Sequence, residues 1–483
     1  MRSDRSRVVL TLLAFPTAAV LGFALHGVAP AVVAPYLAPT MASVGVFAVF
    51  TFALKRKVGA NIFGEIGFLY LGFVLAYTVV PALGFMAAGL DQLGPLSWLQ
   101  PDPERLVAHL WRHVLFQSAV SLGYLALRGA AAPQTNPRPE RPERDRRALV
   151  FSAILIAVSI ASMTLMSAPV HSYYEHYTRY DHLPWLAHKL ISFAVRSSLG
   201  LYCVLLALLF RDYKRYKVVI PIVVIAICAH ELVYSYGARI QALIVLMQAV
   251  CLYHFQVRRI SIKAGVIACL AMAAVFSVVE LVRPLEADSA SAAPSLAETT
   301  LKPASEFGAV FLPGFHLYEE RRQHALPPVE WPMFFYDAIS LVTFGDFTRW
   351  NPMNWYADNY FPTVDIPPFT MGPIADSAMW GGEPDLVIRG LINGMFFAYI
   401  MRWFIRRRQK WWGLAVYAYC YSTCILTVKY TIFLDLSLIE KNLIPALLLV
   451  QGIRSLQLTW RVGPRTTLLA GPRHREALEG GLT

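Results

Sequence analysis

Residues 65–88 read EIGFLYLGFVLAYTVVPALGFMAA, and their single charged side chain, Glu65, stands at the start. A run of about 20 apolar residues is long enough to cross the hydrocarbon core of a membrane as an α-helix. Such runs recur along the 483 residues, and only 15% of the side chains are charged, whereas roughly a quarter are charged in soluble proteins. The sequence therefore predicts an all-α, polytopic membrane protein with about twelve transmembrane helices in one domain, which covers residues 1–483.

Basic segments connect the predicted spans on one side only. Because cytoplasmic loops are enriched in Lys and Arg, both termini are predicted in the cytoplasm of a bacterium, and the protein in its inner membrane. The first apolar run follows a basic N-terminus and is predicted to be a retained helix rather than a cleaved signal peptide. The basic stretches are 55–57, 138–147, 211–217, 258–263, 406–410 and the tail after 461. The predicted spans are 8–28, 33–54, 65–88, 109–128, 148–168, 190–210, 218–236, 239–257, 263–283, 386–404, 411–432 and 443–459.

The net charge of +12 is distributed unevenly. Residues 284–385 contain four Lys or Arg against fourteen Asp or Glu, so the rest of the chain carries more than the whole positive excess. This pattern is typical of membrane topology, and it argues against nucleic acid as a partner. Residues 284–385 are predicted to be a large periplasmic loop with short helices, inserted between the ninth and tenth spans. Residues 129–147, with repeated Arg and Pro, are predicted to be a cytoplasmic linker.

Ionisable side chains collect near the outer ends of seven predicted spans. A charged group inside a span is costly and is therefore a candidate functional residue. Long Lys and Arg side chains can also extend from helix ends to the membrane–water interface without any functional role. Arg196 and Glu231 lie too deep in their predicted spans for this explanation. A shared cavity with several cations at headgroup depth would suit a lipid phosphate or pyrophosphate. The residues are His188, Lys189, Arg196, His230, Glu231, Arg239, Glu280, Arg283, Arg389, Lys429, Glu440 and Lys441.

The segment 284–385 also contains seventeen aromatic residues, clustered at 331–336, 344–350 and 355–361. Aromatic rings beside polar groups suit sugar rings, although the same rings would also build a small core for the segment. Its carboxylates and histidines are candidate general bases. The sequence has no Asp-x-Asp pair, no His-Glu-x-x-His and no Gly-rich phosphate loop. This disfavours a metal-dependent or nucleotide-sugar enzyme.

Two stretches resemble a known family. The first stretch is 236–239 (YGAR), which precedes an apolar run and is followed by the basic turn 258–263 (RRISIK). The second stretch is 352–362 (PMNWYADNYFP), which is followed by 372–376 (GPIAD) and another apolar run. These stretches are similar to the Gly-x-Arg segment and to the end of the large periplasmic loop in bacterial O-antigen polymerases of the Wzy type. The resemblance covers mainly residues 218–404, together with the predicted topology.

The resemblance implies a membrane glycosyltransferase that joins oligosaccharide repeat units, carried on undecaprenyl pyrophosphate, at the periplasmic face of the inner membrane. The lipid-linked oligosaccharide is the substrate, and neither a cofactor nor a metal is expected. Membrane lipid and a chain-length regulator protein are the other expected partners. The residues expected to act in catalysis are Arg239 and Arg283 on the phosphates and Asp376 or His316 as the general base. Those expected to bind substrate are Arg196, His230, Glu231, Arg389, Lys429, Trp355 and Tyr356.

Other functions fit the same sequence. A ligase that transfers a finished glycan to another acceptor would show the same charge pattern. A transporter or flippase of lipid-linked sugars would need polar groups along the whole depth of the membrane, whereas the cytoplasmic halves of these spans are almost free of charge. A scaffolding membrane protein would not depend on the outer charges at all.

Overall fold

A computed structural model shows a helical bundle. No strand occurs in the residues it describes, which confirms the all-α prediction for them. Three predicted spans and the predicted linker lie wholly or almost wholly outside the described residues. The spans are 8–28, 148–168 and 263–283, and the linker is 129–147. The described residues are 30–88, 102–129, 150, 153–154, 157, 185–234, 239–261, 264–265, 296–336, 350–362, 370–408 and 410–461.

The helices are numbered here in chain order. The first eight are α1 Pro30–Val58, α2 Ile66–Ala88, α3 Pro103–Arg128, α4 Trp185–Arg211, α5 Tyr213–Tyr216, α6 Val219–Tyr234, α7 Arg239–Gln256 and α8 Leu296–Arg322. The others are α9 Trp331–Phe334, α10 Pro352–Tyr360, α11 Pro373–Met379, α12 Glu383–Arg407, α13 Trp411–Thr423, α14 Leu426–Lys429, α15 Ile432–Leu438 and α16 Ile444–Arg461. A 3-10 helix at Gly59–Gly64 joins α1 to α2, and a π-helical turn at Ile439–Leu443 joins α15 to α16.

Two helices in the described part of the chain are long and apolar enough to cross a membrane, at Val33–Val58 and Ile66–Gly84. Three shorter apolar helices follow at Ser198–Arg211, Val219–Glu231 and Ile240–Gln256. The number of membrane spans and their orientation stay predictions.

Helices α3 and α12 pack closely and run in the same direction. Arg112 of α3 donates to Glu383 at the start of α12 over 3.1 Å, and near the far end Arg402 donates to the carbonyl of Leu127 over 3.2 Å. A Cβ atom at Gly394 would overlap the carbonyl oxygen of Val120 in α3. Small residues at such crossings let two backbones approach. The pair defines two ends of the bundle, called here the Asp102 end, where both helices begin, and the Arg128 end.

A buried ion pair joins the helices at the Arg128 end. Arg128 donates to both carboxylate oxygens of Glu65, over 2.7 Å and 2.6 Å, and the hydroxyl of Tyr124 donates to the same carboxylate over 2.6 Å. Both charged side chains are almost fully buried, with 3% and 1% of their surface exposed. The network fixes the start of α2 against the end of α3.

Helix α8 lies in the segment predicted to be a periplasmic loop, and its 27 residues make it longer than the short helices expected there. Its middle packs into the bundle, where the ring of Phe307 lies 4.7 Å from that of Tyr77 in α2 and Phe311 stacks on His113 of α3 at 4.9 Å. The charged residues at both ends of α8 and its two prolines, Pro303 and Pro313, lower its average hydropathy, so its central apolar run does not meet the criterion for a predicted span.

The predicted span 411–432 is divided in the structure, because α13 ends at Thr423 and two short helices follow. The hydroxyls of Ser422 and Thr423 donate to the carbonyl of Tyr419 over 2.7 Å and 3.1 Å. Side-chain bonds of this kind to the preceding turn bend helices. Lys429 consequently ends α14 and does not lie within a continuous helix.

Candidate functional site

The candidate site lies at the Asp102 end, where α11 packs against α8 and the first turns of α12, and α10 packs against α8. Helix α11 begins after Gly372, whose backbone touches Val428 so closely that a Cβ atom would overlap the Val428 carbonyl oxygen. Asp376 lies in the first turn of this helix, and its backbone amide donates to the carbonyl of Gly372 over 3.0 Å. Gly372 therefore occupies the N-cap position of α11, and Asp376 lies inside the helix.

Arg389 of α12 binds two carboxylates, one in α11 and one in its own helix. Its Nη1 donates to Asp376 over 3.2 Å, and its Nε donates to Asp385 over 2.6 Å. The exposed fractions are 17% for the Arg389 side chain, 6% for Asp376 and 19% for Asp385. Charge-assisted hydrogen bonds of this kind are stronger than neutral ones, and partial burial reduces their screening by solvent. The predicted residues Asp376 and Arg389 are thus direct partners.

A second arginine, Arg112 of α3, stands beside this pair. Its Nε donates to Glu383 over 3.1 Å, and its guanidinium carbon lies 4.2 Å from the centre of the Tyr318 ring. The Tyr318 hydroxyl is 2.9 Å from that of Ser377, which follows Asp376. The Nη1 atom of Arg112 is buried and has no hydrogen-bond partner among the described residues. Arg112 is not among the residues predicted from the sequence, although a charged residue inside the predicted span 109–128 is a signal of a functional site.

A chain of three side chains connects α8 to α10. Nδ1 of His316 lies 2.9 Å from the Tyr356 hydroxyl, and Nε2 lies 3.7 Å from the carboxylate of Glu320. The carboxylate favours a proton on Nε2, which leaves Nδ1 to accept from the tyrosine. Burial lowers the pKa of His316 to about 4, so its imidazole is neutral at pH 7. Burial likewise raises the pKa of Tyr356, which keeps the hydroxyl protonated.

We expect the free energy of unfolding to fall as the pH drops from about 6.5 to 4, because only the unfolded chain takes up a proton at His316 in that range. The contribution of His316 to the free energy of unfolding is fully present above the unfolded-state pKa of about 6.5, and it is lost as the pH falls to the folded-state pKa of about 4. The difference between these two pKa values corresponds to about 3 kcal/mol. His316→Asn, whose amide can still accept from Tyr356, should lose less stability on acidification. Thermal unfolding of both proteins in detergent at pH 7 and pH 4.5 tests this, and equal losses would contradict it.

Trp355 and Tyr356, which were predicted to bind sugar, are buried with 6% and 1% of their surface exposed. The Trp355 indole donates to the carbonyl of Pro328 over 3.1 Å. Both rings pack with the apolar side chains of α8 and α11. Their positions therefore match the second interpretation of the aromatic clusters, in which the rings build a core for the segment.

The other predicted residues are placed only in part. His230 and Glu231 are buried in α6, with Nδ1 and Oε1 3.8 Å apart, and Tyr202 of α4 interacts electrostatically with Glu231. Lys429 is partly buried at the end of α14. Arg239 opens α7 and Arg196 lies in α4, but their side chains are outside the described part, as is the whole of Arg283.

No family model, curated protein or solved structure matches the chain. The resemblance to Wzy-type polymerases therefore rests on the residues quoted above. Within the described ranges, no group of three or more His, Cys, Asp or Glu side chains is arranged to hold a metal ion. The site at the Asp102 end is an arrangement of arginines, carboxylates and a neutral histidine.

Proposed function

We propose that this chain is a bacterial inner-membrane polysaccharide polymerase. It joins undecaprenyl-pyrophosphate-linked oligosaccharide repeat units at the periplasmic face. The observation that carries the proposal is the network of Arg389 with Asp376 and Asp385, embedded where apolar helices converge. Buried ionisable groups are costly and mark functional sites in membrane proteins. The network also includes Asp376, at the end of the stretch 372–376 that carries part of the family resemblance.

The parallel packing of α3 and α12 supports the proposed topology. In that topology both segments enter the membrane from the periplasm, so their first turns share the outer side. Arg112, in the third turn of α3, and Arg389, in the second turn of α12, then lie near the depth of lipid headgroups. Arginine binds phosphate oxygens through its planar donor groups. Three carboxylates already pair with these two arginines, so the site offers no net positive charge, but Nη1 of Arg112 remains a buried donor without a partner among the described residues. We assign a phosphate oxygen of the lipid pyrophosphate to that donor.

The proposed reaction transfers a glycan from one lipid carrier to the next repeat unit. An oxygen of an acceptor hydroxyl bonds to the anomeric carbon of the donor glycan. The bond from that carbon to the pyrophosphate oxygen breaks, and its electron pair leaves with the lipid pyrophosphate. Preorganised cations stabilise the charge that develops on the leaving group. A nearby base accepts the proton of the acceptor hydroxyl.

The geometry favours different roles for the two predicted bases. Asp376 faces Arg389, so we assign it the positioning of that guanidinium. His316 is neutral at pH 7 because of its lowered pKa, and both of its ring nitrogens have partners, Nδ1 in Tyr356 and Nε2 in Glu320. Glu320 is the accessible member of the pair, with 23% of its side chain exposed against 2% for His316. We therefore assign the proton of the acceptor hydroxyl to the carboxylate of Glu320, which His316 orients.

Deletion of the gene, with a plasmid copy as control, tests the proposed function. Gels of the host's glycans should show loss of long chains with single repeat units retained, and the plasmid should restore the long chains. Unchanged chain lengths would refute polymerisation. Loss of every surface glycan, including single repeat units, would indicate ligation or transport instead of polymerisation.

A further inference from the structure

An aromatic surface next to Arg389 is exposed instead of buried. Trp331 has 72% of its surface exposed, Phe335 has 48% and Phe334 has 37%, and Trp380 is partly exposed beside them. Large aromatic rings usually dominate cores and interfaces, since burying them releases much apolar surface from water. A contiguous exposed group of such rings marks a binding surface. Trp331, Phe334 and Trp380 are called here the aromatic platform.

The platform is held in a fixed shape. The ring of Trp380 lies 5.5 Å from that of Trp331 and 5.4 Å from that of Phe334. The guanidinium of Arg321 donates to the carbonyl of Trp380 over 3.0 Å and to that of Ala378 over 3.1 Å, which fixes the turn between α11 and α12. A surface formed before binding loses little conformational freedom on binding.

The edge of the platform is polar, and it adjoins the charge network. The guanidinium carbon of Arg389 lies 5.4 Å from the centre of the Phe334 ring, while the same side chain binds Asp376 and Asp385. On the other side, Glu330 precedes Trp331 and accepts a hydrogen bond from Trp350 over 3.2 Å. Apolar ring faces with both donors and acceptors at the rim complement a pyranose ring, which has an apolar face and a hydroxyl edge.

We propose that the aromatic platform is a sugar-binding subsite, in which Trp331, Phe334 and Trp380 hold a pyranose ring of the oligosaccharide beside Arg389. The inference rests on the proposed function for the identity of its ligand, and it names the surface that the glycan would occupy. Aromatic rings also concentrate where membranes meet water. The arginine and carboxylates at the platform's rim favour a polar, hydroxylated ligand over lipid chains.

Trp331→Ala is the test variant, because the ring is exposed and its loss should leave folding intact. Trp111→Ala is the matched control, since Trp111 is an exposed tryptophan of α3 with 45% of its surface accessible. The probe is the host's oligosaccharide, released from its lipid carrier by mild acid and titrated into the purified full-length protein. We expect Trp331→Ala to weaken binding about tenfold, as the loss of a ring contact would, and Trp111→Ala to bind as wild type.

Binding by Trp331→Ala at the wild-type affinity would overturn the inference. The inference would also be overturned if brominated lipids in vesicles quenched the fluorescence of the wild type more than that of Trp331→Ala. That difference would place the Trp331 ring, and with it the platform, at the membrane surface. If Trp331→Ala binds and polymerises normally while deletion of the gene removes long chains, the subsite fails and the proposed function stands. If Trp331→Ala loses binding but deletion leaves chain length unchanged, the subsite stands and the proposed function fails.

Discussion

Replacing Arg389 with glutamine is expected to abolish long glycan chains while single repeat units persist. The guanidinium is the shared partner of Asp376 and Asp385, and the substitution leaves these two carboxylates without their cation. In the proposed mechanism it also removes a charge that stabilises the departing pyrophosphate. Losing one such donor costs about a hundredfold to a thousandfold in rate, enough to remove long chains from a gel. The measurement is chain length on gels from the complemented deletion strain, beside the amount of protein in membranes.

A double variant separates the chemical role of Arg389 from its structural role. Arg389→Gln alone is expected to lower the amount of protein, because it leaves Asp376 charged and largely buried. Adding Asp376→Asn removes that charge and should restore the amount of protein, while long chains stay absent. Recovery of long chains in the double variant would show that Arg389 serves only to balance charge. Arg322→Gln is the control, since Arg322 is 55% exposed and belongs to no part of the proposed site.

The helices could be predicted from sequence wherever an apolar run has clear ends. The predicted span 65–88 corresponds to the helix Ile66–Ala88, and the predicted span 239–257 to the helix Arg239–Gln256. The ends agree within about one residue, which is inside the usual error of such predictions. Helix α8 could not be predicted in this way, because its apolar centre is flanked by polar residues and forms only a short run. Its stability comes from packing against α2 and α3, which a window along the sequence does not register.

The candidate site was predicted only in part, for a similar reason. Arg389 is predicted from its charge near the outer end of a span, and Asp376 and His316 are predicted as general bases through the family resemblance. The structure places Asp376 against Arg389. Arg112 is 271 residues before its partner Glu383, so the pairing depends on how α3 and α12 pack. Glu320 follows His316 by four residues and lies on the same face of a helix, a spacing that would have linked the two had the helix been recognised.

Glu65→Gln is expected to destabilise the protein more than any other single substitution at the Arg128 end. It leaves Arg128 charged in a position where only 3% of its side chain is exposed, and it disturbs the hydrogen bond from Tyr124. Removing one partner of a buried ion pair costs about 3–5 kcal/mol. Thermal unfolding in detergent measures the loss. A loss within about 1 kcal/mol of wild type, as expected for the exposed Arg322→Gln, would contradict the prediction.

The double variant Glu65→Gln/Arg128→Gln should recover part of this stability, because two uncharged amides can hydrogen-bond without a buried charge. Its glycan profile carries a second test. The ion pair joins α2 to α3 at the opposite end of the α3–α12 pair from Arg112 and Glu383, so neither side chain belongs to the proposed site. Protein that survives in the membrane should therefore still make long chains. Long chains lost from the double variant at wild-type protein levels would show that the Arg128 end takes part in the reaction.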